Sequence, residues 1–281
     1  MRPVWLHIAL AVLWLGNVPK GFPQATAASD SGPIQDNGFL VEEAYNQEEG
    51  VVQHISSLNY FTDSKDWAYS FTQEWPVPGD ARHQFSYTLN VVRPGDFSTD
   101  GAGIGDLALN YRYQLIGSGQ DRVAMAPRFS LLLPAGDSAL GHGFGSVAYQ
   151  ANLPVSVAVT KQLVMHLNAG GTVAPNAKNA VGEQARATGF NLGHSFIWLA
   201  HARFNVMLET LWTGQDAVSG PDRTEFGHGL FVSPGIRWAH NFENGLQIVP
   251  GAALAIGAGP SDGEKALIFY LSFEHPFTRP R

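Results

Sequence analysis

Eight charged residues fall on the polar face of strand-like runs: Glu74, Asp106, Arg112, Arg128, Arg203, Glu209, Arg237 and Glu274. Enclosed together, four carboxylates and four guanidiniums would pair, because an unpaired buried charge is costly. Such a set can line a pore and select solutes, or it can be structural ion pairing that fills the space. His54-Ile55-Ser56 puts a base and a hydroxyl on one strand face. Nucleophilic catalysis needs them within hydrogen-bond reach; the spacing allows that, but no third residue is identifiable. Gly101-Ala-Gly103-Ile-Gly105 has the look of a nucleotide loop, yet a strand follows it where a dinucleotide site requires a helix. Gly141-His-Gly143 and Gly227-His-Gly229 are candidate ligand or metal positions, although glycine at a strand entry explains them sufficiently. The ten histidines have no His-x-x-x-His or His-Glu-x-x-His spacing. With no cysteine, a zinc-thiolate site and a thiol nucleophile are excluded.

The elements that must carry these residues are strands. Charged residues make up only 15% of the 281 positions, against roughly 25% in an ordinary soluble domain. Mean hydropathy is nevertheless only -0.07, and past residue 30 no apolar run reaches the about 20 residues of a spanning helix. Apolar and polar residues are therefore interleaved. Runs begin near Val51, Trp67, His83, Gly103, Val123, Gly143, Leu163, Ala187, Arg203, His228, Leu246 and Ala266, each roughly 10–15 residues long, which suits a tilted membrane strand.

Alternation is clearest from Gly105. Leu107, Leu109, Tyr111, Tyr113 and Leu115 share one face, and Asp106, Ala108, Asn110, Arg112 and Gln114 the other. The runs from Gln84, Val147 and Leu267 repeat the pattern; Val51 to Thr62 follows it poorly. A soluble sandwich alternates too, but its strands are usually about 5–6 residues. Connections here alternate between short and mostly longer, as in membrane barrels with short periplasmic turns and long outer loops. The longer set is Pro94 to Ala102, Ala135 to His142, Asn176 to Arg186, Gly214 to Gly227 and Gly257 to Lys265, and Thr62 to Asp66 is a short exception. Trp67, Trp75, Trp198, Trp212 and Trp238 sit near run ends, where an aromatic belt would meet the two interfaces. Pro127, Pro154, Pro234 and Pro250 fall inside runs and are expected at bulges or near the membrane boundary. The fold class expected is an all-β, closed antiparallel transmembrane barrel of about twelve strands.

The N-terminus reads as an export signal: Met1 and Arg2, a stretch from Val4 to Leu15 that is apolar except for His7, and the small-x-small site Ala25-Thr26-Ala27. Removing residues 1–28 takes away Arg2 and Lys20 and no acids, so the net charge moves from -7 to -9, which argues against a nucleic-acid partner. Residues 29–50 hold Asp30, Asp36, Glu42, Glu43, Glu48 and Glu49 without Lys or Arg. They are either a disordered leader or a segment tucked inside the barrel formed by 51–281.

Two stretches resemble a known family. Gly103-Ile-Gly-Asp-Leu-Ala-Leu-Asn-Tyr-Arg-Tyr-Gln-Leu115 is similar to the Gly-x-Gly-Asp-Leu strand of outer-membrane barrels of the MetA-pathway of phenol degradation family. Ala126-Pro-Arg-Phe-Ser-Leu-Leu-Leu-Pro-Ala-Gly136 resembles that family's next strand, ending in Leu-Pro-x-Gly. The likeness extends loosely from about residue 50 to the C-terminus. It implies a porin-like transporter in the outer membrane of a Gram-negative-type cell, for aromatic or hydrophobic compounds, with no catalytic residues. One departure is that Phe277 is followed by Thr-Arg-Pro-Arg, whereas many such barrels end in an aromatic residue used for assembly.

The reading is a channel, not an enzyme, passing small solutes down their gradient without a cofactor. Its partners would be membrane lipid, lipopolysaccharide, the outer-membrane assembly machinery and the solute. The alternatives are an acyl hydrolase like the lipid A deacylases, which use a His-x-Ser arrangement, a sealed structural or adhesion barrel, and a soluble sandwich.

Overall fold

The computed structural model describes Ile34, residues 36–94 and residues 101–277. The expected export signal, with Met1, Arg2 and Ala25 to Ala27, lies outside the described residues, as do Thr278 to Arg281. Twelve antiparallel strands follow one another around a closed barrel. They are β1 (Val51–Phe61), β2 (Trp67–Val77), β3 (Asp80–Arg93), β4 (Gly103–Ile104 and Leu107–Tyr113), β5 (Val123–Met125 and Arg128–Leu133) and β6 (Ala148–Ala158). Then come β7 (Leu163–Lys178), β8 (Gln184–His201), β9 (Phe204–Gly220), β10 (Arg223–Trp238, continued by His240–Asn241), β11 (Gln247–Ala258) and β12 (Lys265–Pro276). Each strand pairs with its neighbours in sequence. The seam between β12 and β1 runs from Phe61↔Ala266 to Val51↔Pro276 without a shift in register. Among the described residues every strand of the ring has a partner on both sides, as hydrocarbon requires.

The period-two pattern sets the two faces. In β6, Ala148, Gln150, Asn152, Pro154 and Ser156 are buried inward while Tyr149, Ala151 and Leu153 are exposed outward. β4 divides Ala108, Asn110 and Arg112 from Leu107, Leu109 and Tyr111 in the same way. β1 alternates poorly in sequence because its inner face mixes Ile55 and Phe61 with Gln53 and Ser57. Its apolar inner residues belong to a buried cluster with Ile197, Met207, Leu211, Phe231 and Ile268.

Two expectations are corrected. Segments 176–186 and 214–227 are not long loops: β7 to β10 run 16–18 residues each, joined by 179–183 and 221–222. Beyond the hydrocarbon band an outward side chain can be polar, so the apolar alternation fades while the strand continues. Of the in-run prolines, Pro154, Pro234 and Pro250 lie where the register does not shift, whereas beside Pro127 it shifts by one residue between Arg112↔Arg128 and Ile116↔Met125. Pro127 separates the two pieces of β5. β10 pairs β11 at Val232↔Ile256, skips Pro234 and resumes in the same register at Gly235↔Ala253. The same ladder is interrupted again opposite Pro250, between Arg237↔Gly251 and His240↔Ile248. A missing N–H removes one rung without adding a residue.

Placing an arginine on the outer face at Leu153, mid-strand in β6, should weaken folding into lipid vesicles by ~2–4 kcal/mol, while Thr224→Arg near the rim of β10 should cost about 0–1 kcal/mol. Equilibrium folding into vesicles measures the difference, and equal effects would contradict the assigned lipid face.

Candidate functional site

The barrel's interior is occupied by its own N-terminal segment. Ile34 and residues 36–47 are buried and run without regular secondary structure. Wall side chains satisfy their peptide groups in place of a partner strand. Asn205 Nδ2 donates to Ile34 O at 2.9 Å. Arg237 donates to the carbonyls of Asp36 and Asn37. The Glu209 carboxylate accepts from the N–H groups of Phe39, Leu40 and Val41 at 2.9–3.3 Å. Asn168 brackets Glu42, accepting from its N–H and donating to its carbonyl, both at 2.8 Å. Ser156 Oγ accepts from Ala44 N at 2.8 Å and lies 2.7 Å from His166 Nδ1. Gln114 accepts from Asn46 N at 2.9 Å and donates to Ala44 O at 2.8 Å. Asn46 and Gln47 then reach Arg82 O and Gln84, and the chain enters β1. The segment thus arches across the half of the barrel nearest the short turns.

Its fit to the wall is steric as well. A Cβ on Gly235 or Gly251 would stand 2.6–2.7 Å from the Phe39 ring, so both positions must be glycine for the ring to lie flat against the wall. Phe39 also meets Tyr270 with ring centroids 5.4 Å apart. Burial pushes the Asp36 carboxyl above its usual range, opposed by the Arg237 guanidinium and by hydrogen bonds from Ser272 and Tyr270.

The densest charge lies at Glu42. Arg128 Nε donates to both carboxylate oxygens at 3.0 and 3.1 Å, and its Nη2 pairs with Oε1. Arg112 Nη2 stands 3.4 Å from Oε2 and also donates to Glu43 O, while Nη1 donates to Tyr45 O. All three side chains are buried. The wall holds Arg128 independently: Nη1 donates to Asn110 Oδ1 at 3.2 Å and Nη2 to Gln150 Oε1 at 3.1 Å.

Of the eight predicted charged residues, Glu74, Arg112, Arg128, Glu209 and Arg237 are buried inside the barrel. Glu74 Oε2 accepts from Gln84 Nε2 at 3.0 Å. Glu274 is half-buried near the end of β12, 3.4 Å from Gln47 Nε2. Asp106 lies toward the opposite mouth, where it accepts from Gly136 N at 3.2 Å and Phe144 N at 2.8 Å, fastening the 134–147 loop. Phe144 packs there against an alanine-rich cluster with Ala108 and Ala148. Arg203 is a correction: it sits exposed in the β8–β9 turn, outside the interior, because a two-residue turn brings it beyond the first inward position, Asn205.

On the outer face, Trp75, Trp198 and Trp238 lie toward the short-turn end and Trp67 beside the first hairpin. Trp212 is a second correction. It is mid-strand in β9, because β9 extends well past the run predicted for it. His54 and Ser56 point outward without a carboxylate between them. The His54 ring stacks on His275, and Ser56 Oγ lies 3.1 Å from the Tyr69 hydroxyl. His142 Nε2 contacts Gly101 O at 3.1 Å and His228 lies against Phe226. Among the described residues no group of His, Cys, Asp and Glu could hold a metal.

Sequence reading missed the amides and hydroxyls that bind main chain, Asn168, Gln114, Ser156 and Asn205. The available signal was the base-free acidic run opposite inward arginines.

No protein-family model matches the chain, and no curated protein matches it. Solved structures do. The NanC porin superposes with a TM-score of 0.52 at 9% identity, covering 79% of this chain and 98% of that one. An outer membrane channel from Pseudomonas putida F1 gives 0.52 at 12% identity, covering 83% and 97%. The fold is that of outer-membrane barrel channels.

Glu209→Ala would leave three buried N–H groups without an acceptor, each unmet group costing about 1–3 kcal/mol. Amide exchange at Phe39, Leu40 and Val41 should accelerate strongly while the barrel strands stay protected. Unchanged exchange at those three positions would show that Glu209 does not hold the segment.

Proposed function

We propose that this chain is an outer-membrane channel for small solutes, and that Ile34 and residues 36–47 plug it at rest. The supporting observation is that the interior meets one separable segment, through an apolar cluster around Phe39, Leu40 and Val41 and, from Glu42 to Gln47, through hydrogen bonds to arginine, amide and hydroxyl side chains. Such hydrogen bonds can be exchanged for water or solute one by one, whereas a wall packed against itself cannot. The apolar exterior suits a bilayer, with lipid and lipopolysaccharide around the barrel and Trp67, Trp75, Trp198 and Trp238 as interfacial anchors. The expected route is export on residues 1–28 and insertion by the outer-membrane assembly machinery. The resemblance of Gly103–Leu115 and Ala126–Gly136 to the MetA-pathway family favours aromatic or hydrophobic solutes. Flux follows the gradient, with no enzyme chemistry, cofactor or nucleic acid.

A sealed structural barrel is the second reading, favoured by how completely 36–47 is buried. A tether separates the two. Val41 Cγ2 stands 2.9 Å from where a Cβ on Gly193 would be, and the chain has no cysteine to interfere. A Val41→Cys, Gly193→Cys protein in liposomes should admit benzyl alcohol or glucose when reduced and become as tight as empty liposomes when oxidised. Equal leakage in both states would rule out the segment as the gate. Tightness in both states would favour the sealed barrel.

A further inference from the structure

We propose that Arg112 and Arg128 form a carboxylate-binding site in the lumen, filled at rest by the chain's own Glu42 and taken by organic carboxylate solutes in passage. This rests on the channel reading and adds a substrate class to it.

Three observations carry it. The wall presents a fork, not a diffuse charge: Arg128 reaches both oxygens of one carboxylate and Arg112 flanks the second. A planar guanidinium matches a planar two-oxygen group in this way. The Arg128 arm of the fork is also built without the segment. Asn110, Ser130 and Gln150, all on the wall, hold the Arg128 guanidinium in place, so its orientation survives when Glu42 leaves. Finally, the occupant is separable. Glu42 belongs to a stretch with acids and no Lys or Arg, attached here by side-chain contacts, with Asn168 bracketing its peptide. An anion that replaces Glu42 finds the Arg128 guanidinium already oriented, with Arg112 on the neighbouring strand to flank it; a neutral solute of the same shape leaves these charges unmatched, and desolvating them without a partner is costly.

Full-length Glu42→Ala protein, checked as a folded barrel by heat-modifiable migration, tests the site by chemical rescue. It should unfold at a lower temperature than the wild type. Propionate should restore part of that loss; propionamide, or chloride at matched ionic strength, should not. Adding Arg128→Gln should abolish the rescue. Equal effects of propionate and chloride would overturn the inference, whatever the channel does. Wild-type protein in liposomes gives an independent readout, also decisive if Glu42→Ala does not fold. Benzoate should enter at least about tenfold faster than benzamide beyond the rates of empty liposomes, equivalent to ~1.4 kcal/mol, and Arg128→Gln should erase the preference. Benzamide entering as fast as benzoate would refute carboxylate selection while leaving the channel intact. Rescue by propionate with no entry of either solute would leave the site standing and bring down the channel reading.

Discussion

A peptide group in hydrocarbon has no water to turn to, and the rest of this molecule follows from that constraint. It forces twelve strands into a ring whose seam, β1 against β12, is as regular as its hairpins. It places apolar side chains outside and leaves every second residue facing a space that lipid cannot fill. The interior must then be hydrated, packed, or occupied by something that carries its own polar groups. This chain uses the third solution. The occupant is an extended peptide with its own unpaired N–H and C=O groups, so the wall needs side chains that act as peptide mimics. Asn168, Gln114 and Glu209 fill that role.

The interior is divided in two. Along β8 to β12 and β1 it is largely apolar, with Ile197, Met207, Leu211, Phe231, Ile55 and Ile268 around Phe39, Leu40 and Val41. Along β3 to β7 it is amide and arginine, with Gln84, Arg112, Arg128, Gln150 and Asn168 facing Glu42 to Gln47. The segment has the same order, apolar first and acidic after. Register between segment and wall is set by that match, and the buried contact of Glu42 with Arg112 and Arg128 fixes it at one point. A buried pair is weak evidence for stability but a strong penalty on misplacement, since either partner alone is costly.

Much of the barrel was legible because period-two alternation depends on nothing but local sequence and the presence of lipid on one side. Leu107 to Gln114 could be assigned to faces residue by residue, and they fall there. The outer ends of β7 to β10 were not legible, because water replaces lipid there and Asp216 or Arg223 no longer conflicts with a strand. Arg203 was misassigned for a related reason: alternation continues on paper through a turn that physically ends it. Inward Arg112, Arg128, Glu209 and Arg237 were visible as charges, but not what they hold. Their partners lie roughly 70–200 positions away in the chain, and no local pattern connects them.

The path of the segment determines how it would respond to a mechanical load. Its contacts follow in chain order from Ile34, through Arg237, Glu209 and Asn168, to Gln84 at the start of β1. Tension applied at the Ile34 end bears on one attachment at a time, as in opening a zipper, and each rupture exposes the next. The same contacts stretched in parallel would have to fail together. A segment anchored at one end and tethered in series is therefore firm against random agitation yet opens contact by contact under a pull applied at Ile34.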